Sequence, residues 1–229
     1  MPTLAERLVA VGVPPGRVRV VPNGAQYSTP LLSRAAARAA LGLPAGVAVA
    51  GWVGRLSVEK GPDLFLEALA LLNDREVHAA LIGTGRERER VEAQATRLGL
   101  TGRVHWCGAV PDAGRLFPAF DCFVLSSRTE GTPIVLFEAM AAETPVVATR
   151  VGGVPDVVSE ADAVLARPED ASALARAVAA ILDDPEAARV RAKRARARLE
   201  TERGVPQWVA RYDSIYRAVL RPARGAASP

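Results

Sequence analysis

The sequence predicts an α/β domain with a doubly wound, Rossmann-like parallel sheet and extra helices at its carboxyl end. Three observations point there. Between Val47 and Leu182 short apolar runs alternate with helical patterns of about ten residues or more. The runs are continuous rather than alternating in polarity, as in strands buried on both faces. Each is followed by a stretch long enough to cross back over the sheet, and right-handed crossovers place helices on both faces. Ligands of such a sheet bind beyond the carboxyl ends of its strands.

Taken in order, Val47–Val53, Val77–Ile82, Val104–Cys107, Cys122–Leu125, Val146–Thr149 and Ala163–Leu165 read as strands. Asp63–Asn73, Arg86–Leu98, Gly114–Phe120, Ile134–Ala142 and Ala171–Leu182 read as the helices between them. Ahead of the sheet, residues 3–11 form a short amphipathic helix, followed by Val18–Val21 and the turn Pro22-Asn23-Gly24. Behind it, Asp183-Asp184-Pro185 opens a long Ala/Arg helix. A last helix over about Pro206 to Leu220 carries Trp208, Tyr212, Ile215, Tyr216 and Val219 on one face. The tail beyond it is expected to fray.

Composition narrows the class. The 229 residues are 49% hydrophobic and only 5% aromatic, so Ala, Val and Leu supply the core. No apolar run reaches the roughly 18 residues of a membrane span, and Met1-Pro2-Thr3 does not open a secretory leader. A cytoplasmic chain is expected, with Cys107 and Cys122 as reduced core thiols. Neither cysteine has a metal-ligand spacing, and His78 and His105 stand alone, so zinc is not expected. The net charge of +4 comes almost entirely from arginine, the lysines being Lys60 and Lys193 alone. The basic stretch Arg189 to Arg203 has few aromatics for stacking and reads as a solvated helix face rather than a nucleic-acid site. Peripheral contact with an anionic membrane surface stays open.

Two loops carry the chemistry. In Gly51-Trp52-Val53-Gly54-Arg55-Leu56-Ser57-Val58-Glu59-Lys60-Gly61-Pro62 a buried strand ends and two cations follow, five residues apart. Pro62 suits the first position of the next helix. Arg55 and Lys60 thus lie beside a helix amino terminus, where free N–H groups and the dipole also favour an anion. By themselves they are equally readable as surface cations.

The second loop decides. Thr132 suits an N-cap and Pro133 a first helical residue, so a helix starts just after Glu130. From Ile134 to Ala142 the only residue that is not apolar is Glu138. A carboxylate there is costly unless a donor meets it, and ribose or sugar hydroxyls would serve. Glu130 lies one turn earlier, near the amides of Gly131, Thr132 and Ile134.

Glu130 and Glu138, with Gly54-Arg55-Leu56, Glu59-Lys60-Gly61 and Pro22-Asn23-Gly24, resemble the carboxyl-terminal, donor-binding domain of retaining GT-B glycosyltransferases, family 4 type. Leu81-Ile82-Gly83-Thr84-Gly85, Trp106-Cys107-Gly108-Ala109-Val110, Pro145-Val146-Val147-Ala148-Thr149 and Gly152-Gly153-Val154-Pro155 extend the resemblance over roughly residues 18–220. It implies that Gly54, Arg55 and Lys60 hold the donor diphosphate and stabilise the leaving phosphate. Glu138 would accept from ribose hydroxyls. Glu130, with the backbone of Gly131, Thr132, Pro133 and Ile134, would hold the donor sugar, and the backbone at Ala109 and Val110 would line the base. Glu143 departs from the pattern, which has a glycine there, so a local change is expected at that turn.

The resemblance further implies a nucleoside diphosphate sugar, uridine or guanosine based, as donor, with no obligatory metal or other cofactor. It makes residues 1–17 the end of an amino-terminal Rossmann-like domain, 18–204 the donor domain, 205–221 a crossover helix and 222–229 a flexible tail. The acceptor-side loop and histidine of the first domain are not in this sequence, so half an active site, inactive alone, is expected. A non-catalytic sugar-nucleotide-binding or regulatory module fits the same residues. A phosphorylase or epimerase fits them less well.

Overall fold

The computed structural model describes residues 4–25 and 30–220. Six strands, β1 (Ala48–Val53), β2 (Val77–Ile82), β3 (Val104–Gly108), β4 (Cys122–Leu125), β5 (Val146–Thr149) and β6 (Val164–Ala166), form one sheet ordered β3-β2-β1-β4-β5-β6. Every pairing is parallel. The order reverses between β1 and β4, and crossovers leave in opposite directions there, opening a crevice at their carboxyl ends.

The helices are α1 (Leu4–Ala10), α2 (Arg34–Ala40), α3 (Pro62–Ala70), α4 (Arg88–Arg97), α5 (Ile134–Ala141), α6 (Val154–Val157), α7 (Ala171–Asp183), α8 (Pro185–Glu202) and α9 (Val205–Leu220). One face of the sheet, with Ala50, Trp52, Leu81 and Val124, packs in a core with Phe65 and Leu69 of α3, Val91 of α4 and Val178 of α7. Phe117, Phe123 and Phe137 are wholly buried as well, and Phe117 stacks obliquely on Phe123 with centroids 5.2 Å apart. Each such ring contributes about 1.5–3 kcal/mol by burial.

The strands fall within a residue or two of their expected bounds, because continuous apolar runs leave little choice of burial. Three expectations change. Arg34–Ala40, not expected as an element, is helical, started by Ser33, whose hydroxyl accepts from the Ala36 amide at 3.2 Å. The segment expected to be helical over Gly114–Phe120 is a 3-10 helix over Ala113–Ala119, because Pro118 has no N–H and obstructs an α-helical interior. Helix α5 starts at Ile134, where its apolar run begins, but its N-cap is Pro133, extended at φ −73°, ψ 100°, with no side-chain cap, and not the expected Thr132. Thr132, preceding a proline, is biased away from helix.

The chain divides into two compact units, residues 27–197 and residues 1–26 with 198–229. In the second, Ala25 pairs with Gly204 in an isolated parallel bridge, its amide donating to the Arg203 carbonyl at 2.8 Å. Val18–Val21 forms no ladder. Helix α9 has no buried residue, and Tyr216, Val219 and Leu220 are 62%, 76% and 77% exposed. In α8 Ala188, Ala192, Ala195 and Leu199 are buried while Arg189, Lys193 and Arg194 face solvent. Arg203, part of the stretch read as solvated, is buried. The terminal tail lies outside the described residues. Among the described residues no helix is long and apolar enough to cross a membrane.

Candidate functional site

The loops after β1, β2 and β4 meet at the carboxyl edge of the sheet. The Gly54 amide donates to the Ile82 carbonyl at 3.0 Å and the Leu56 amide to Thr84 at 2.9 Å, so the β1 and β2 loops run together. A Cβ on Gly83, at φ 138°, would lie 1.8 Å from the Gly54 carbonyl oxygen, an approach only glycine permits. The turn Val58–Lys60 then leads into Gly61, left-handed at φ 62°, and Pro62 opens α3 as expected.

Lys60 and Glu130 are brought into contact across the crevice. The ammonium Nζ donates to both carboxylate oxygens, at 2.8 and 2.9 Å. Ser127 donates its hydroxyl to the same carboxylate at 2.6 Å. The Glu130 side chain is only 5% exposed, so it is no surface acid. Arg55 is exposed, with no hydrogen-bond or ion-pair partner among the described residues.

Glu138 lies midway along α5, half-buried, likewise without a hydrogen-bond or ion-pair partner among the described residues. Burial pushes its carboxyl above the ordinary value of 4.5. Gly114 lies beside it, an added Cβ there sitting in ordinary contact with the carboxyl group at 3.5 Å. Such a group is an acceptor waiting for donors.

Ala109 and Val110 follow β3 on the same edge, exposed and half-buried respectively. Gly131, Thr132 and Ile134 are exposed and Pro133 is buried. The Glu130 carbonyl accepts from the Gly153 amide at 3.2 Å, tying this loop to the one after β5. A cavity of about 600 Å³ sits at the opposite, amino edge, lined among others by Arg34, Val47, Phe120, Asp121 and Pro145. None of the candidate donor-site residues lines it. Among the described residues no three His, Cys, Asp or Glu side chains cluster to hold a metal ion.

Residues 33–198, more than half of the chain, match the family described as glycosyl transferases group 1. The chain belongs to that family. It is 35% identical over 186 residues to a D-inositol 3-phosphate glycosyltransferase of Corynebacterium urealyticum, covering 74% of this chain and 44% of the relative. To the 2-deoxystreptamine glucosyltransferase of Streptomyces kanamyceticus it is 37% identical over 150 residues, 63% of this chain and 39% of the relative. Among solved structures, Anabaena HepE in complex with UDP-glucose superposes with a TM-score of 0.86 at 26% identity, over 93% of this chain and 61% of that one. The group 1 fold is therefore of the GT-B, Rossmann-like type. The chain spans less than half the length of the curated relatives it matches.

Within this group 1 domain, sequence reasoning missed Ser126, Ser127, Arg128 and Asp63. Ser126, Ser127 and Arg128 follow β4 directly, at the edge where ligands of such sheets bind, and that position was the available signal. Ser126 donates to the Gly61 carbonyl at 2.6 Å and accepts from the Trp52 indole at 3.1 Å. Thr149 donates to the Ser127 carbonyl at 2.5 Å.

Proposed function

We propose that this chain is the donor-binding, carboxyl-terminal half of a retaining glycosyltransferase of the family 4 type. Its ligand is a nucleoside diphosphate sugar bound in the crevice between β1 and β4. The observation that carries this is the pairing of an exposed Arg55 with a half-buried Glu138 on one sheet edge, neither hydrogen-bonded nor ion-paired among the described residues, an anion site beside a hydroxyl-accepting site. The UDP-glucose complex of Anabaena HepE supports a uridine donor.

In the proposed reaction the bond between the anomeric carbon and the diphosphate oxygen breaks as an acceptor oxygen bonds to the same face. The acceptor proton passes to the leaving phosphate, whose charge Arg55 and Lys60 stabilise. Glu130 holds the sugar behind its anomeric carbon, Glu138 accepts from the ribose hydroxyls, and backbone at Ala109 and Val110 lines the base. No metal has an assigned part. The acceptor binds an amino-terminal domain carried by the remaining length of the relatives. The exposed stripe of α9 fits contact with that domain. A second reading, a sugar-nucleotide-binding module that transfers nothing, is favoured by the partial span alone.

A thermal-shift panel of UDP, GDP and their sugars tests the donor site. A nucleoside diphosphate is expected to raise the melting midpoint where its nucleoside does not. Equal response to nucleoside and diphosphate would refute an anion site. Co-expression with an upstream coding region then separates the readings: restored sugar transfer supports an enzyme half, and continued inactivity with bound donor supports the module.

A further inference from the structure

Lys60 ends a single 3-10 turn, Val58–Lys60, between β1 and α3. Its neighbours are also fixed from the β4 loop. The Arg128 amide donates to the Glu59 carbonyl at 2.8 Å, and the Arg128 guanidinium donates to the Val58 carbonyl at 2.8 Å. The same guanidinium grips Asp63, in the first turn of α3, with both arms, Nη1 to Oδ1 at 2.8 Å and Nη2 to Oδ2 at 3.1 Å. Its Nε reaches Glu169, ahead of α7, at 2.9 Å. One side chain thus joins both ends of the turn to loops on either side of the crevice.

We propose that Arg128 is a positioning residue for the anion site, holding the Val58–Lys60 turn so that the Lys60 ammonium faces the crevice. The assignment rests on the donor-site reading above. A planar fork suits the task, because it fixes Asp63 in direction as well as distance while its inner arm takes a backbone carbonyl. A lysine would keep the charge and lose that geometry. Burial pushes the Asp63 carboxyl up, but Arg128, the Leu64 amide and Arg90 together outweigh it and hold the group below its ordinary value. The side chains are 25% and 13% exposed, so the pair is only partly screened. Arg128 itself is expected to touch no ligand.

The test is a double-mutant cycle read by calorimetric affinity of the whole chain for UDP, or for GDP if the wild type prefers it. Arg128→Lys is expected to weaken binding about tenfold, the scale of one charge-assisted hydrogen bond. In a Lys60→Ala background the same change is expected to cost nothing further, because the group it positions is gone. Arg128→Gln, with its melting midpoint recorded beside it, is expected to repeat this pattern. An equal loss in both backgrounds, or unchanged affinity in Arg128→Lys, would overturn the proposal. A wild-type chain that binds neither diphosphate would overturn the donor-site reading, and this assignment with it.

Discussion

Lys60 and Glu130 neutralise each other in the ligand-free site, the ammonium lying 2.8 and 2.9 Å from the two carboxylate oxygens. An incoming diphosphate therefore competes with Glu130 for Lys60. Glu130→Gln removes that competitor and one negative charge while nearly keeping its shape. The variant is expected to bind UDP about three- to tenfold more tightly, yet to lose the additional affinity that the sugar of UDP-glucose provides. Calorimetry with both ligands measures this, and weaker UDP binding would contradict it.

Glu138 gives a pH dependence of known sign. Its folded-state carboxyl lies above the ordinary 4.5, so the folded protein is favoured by the protonated form. The stability this group allows is full below pH 4.5 and is lost as pH rises through the raised value. Glu138→Gln is accordingly expected to melt higher than wild type at pH 7, the difference shrinking toward pH 4. Parallel melting curves across that range check it; a constant difference argues against a raised carboxyl.

How much of this was legible in the sequence follows from what each feature depends on. The β1 and β4 strands are runs of buried residues, and Glu138 is conspicuous as the one carboxylate on an apolar helix, so both could be read locally. The contact of Lys60 with Glu130 joins residues 70 apart, and the Arg128 fork on Asp63 joins residues 65 apart. Such contacts depend on sheet order and loop paths that periodicity does not carry. Helix α2 had its signal in Ser33 followed by Ala and Arg, strong helix formers after a good cap. The loss of the Thr132 cap followed from Pro133 acting on the residue before it.

His78 and His105, read as isolated, are neighbours on β2 and β3, with Nδ1 and Nε2 2.9 Å apart and rings stacked at 5.2 Å. Burial lowers both imidazoles below the ordinary 6.5; for His78 Glu76 opposes this and Arg103 adds to it, and for His105 the His78 ring adds to it. Protonation therefore favours the unfolded chain, and stability is lost as pH falls below 6.5. The melting midpoint of wild type relative to His78→Gln is expected to decline between pH 7.5 and 5.5, and a constant difference would contradict it.

Glu143 is left-handed at φ 51°. It follows α5 in a turn where the Thr144 amide bonds to the Ala139 carbonyl and the Glu143 amide to Met140, at 3.0 and 3.1 Å. Glycine is the favoured residue there. Glu143→Gly is expected to stabilise by about 1 kcal/mol, raising the melting midpoint by about 2–4 °C, with UDP affinity unchanged. A lower midpoint would show that the Glu143 side chain makes up for its backbone strain.

The central claim is that the crevice between β1 and β4 holds a nucleoside diphosphate sugar whose ribose meets Glu138. The most direct measurement is the calorimetric dissociation constant for UDP of wild type against Glu138→Ala. Loss of an acceptor for ribose hydroxyls is expected to weaken UDP about tenfold or more while leaving the fold intact. An unchanged constant would contradict the assignment of Glu138, and with it the placement of the donor.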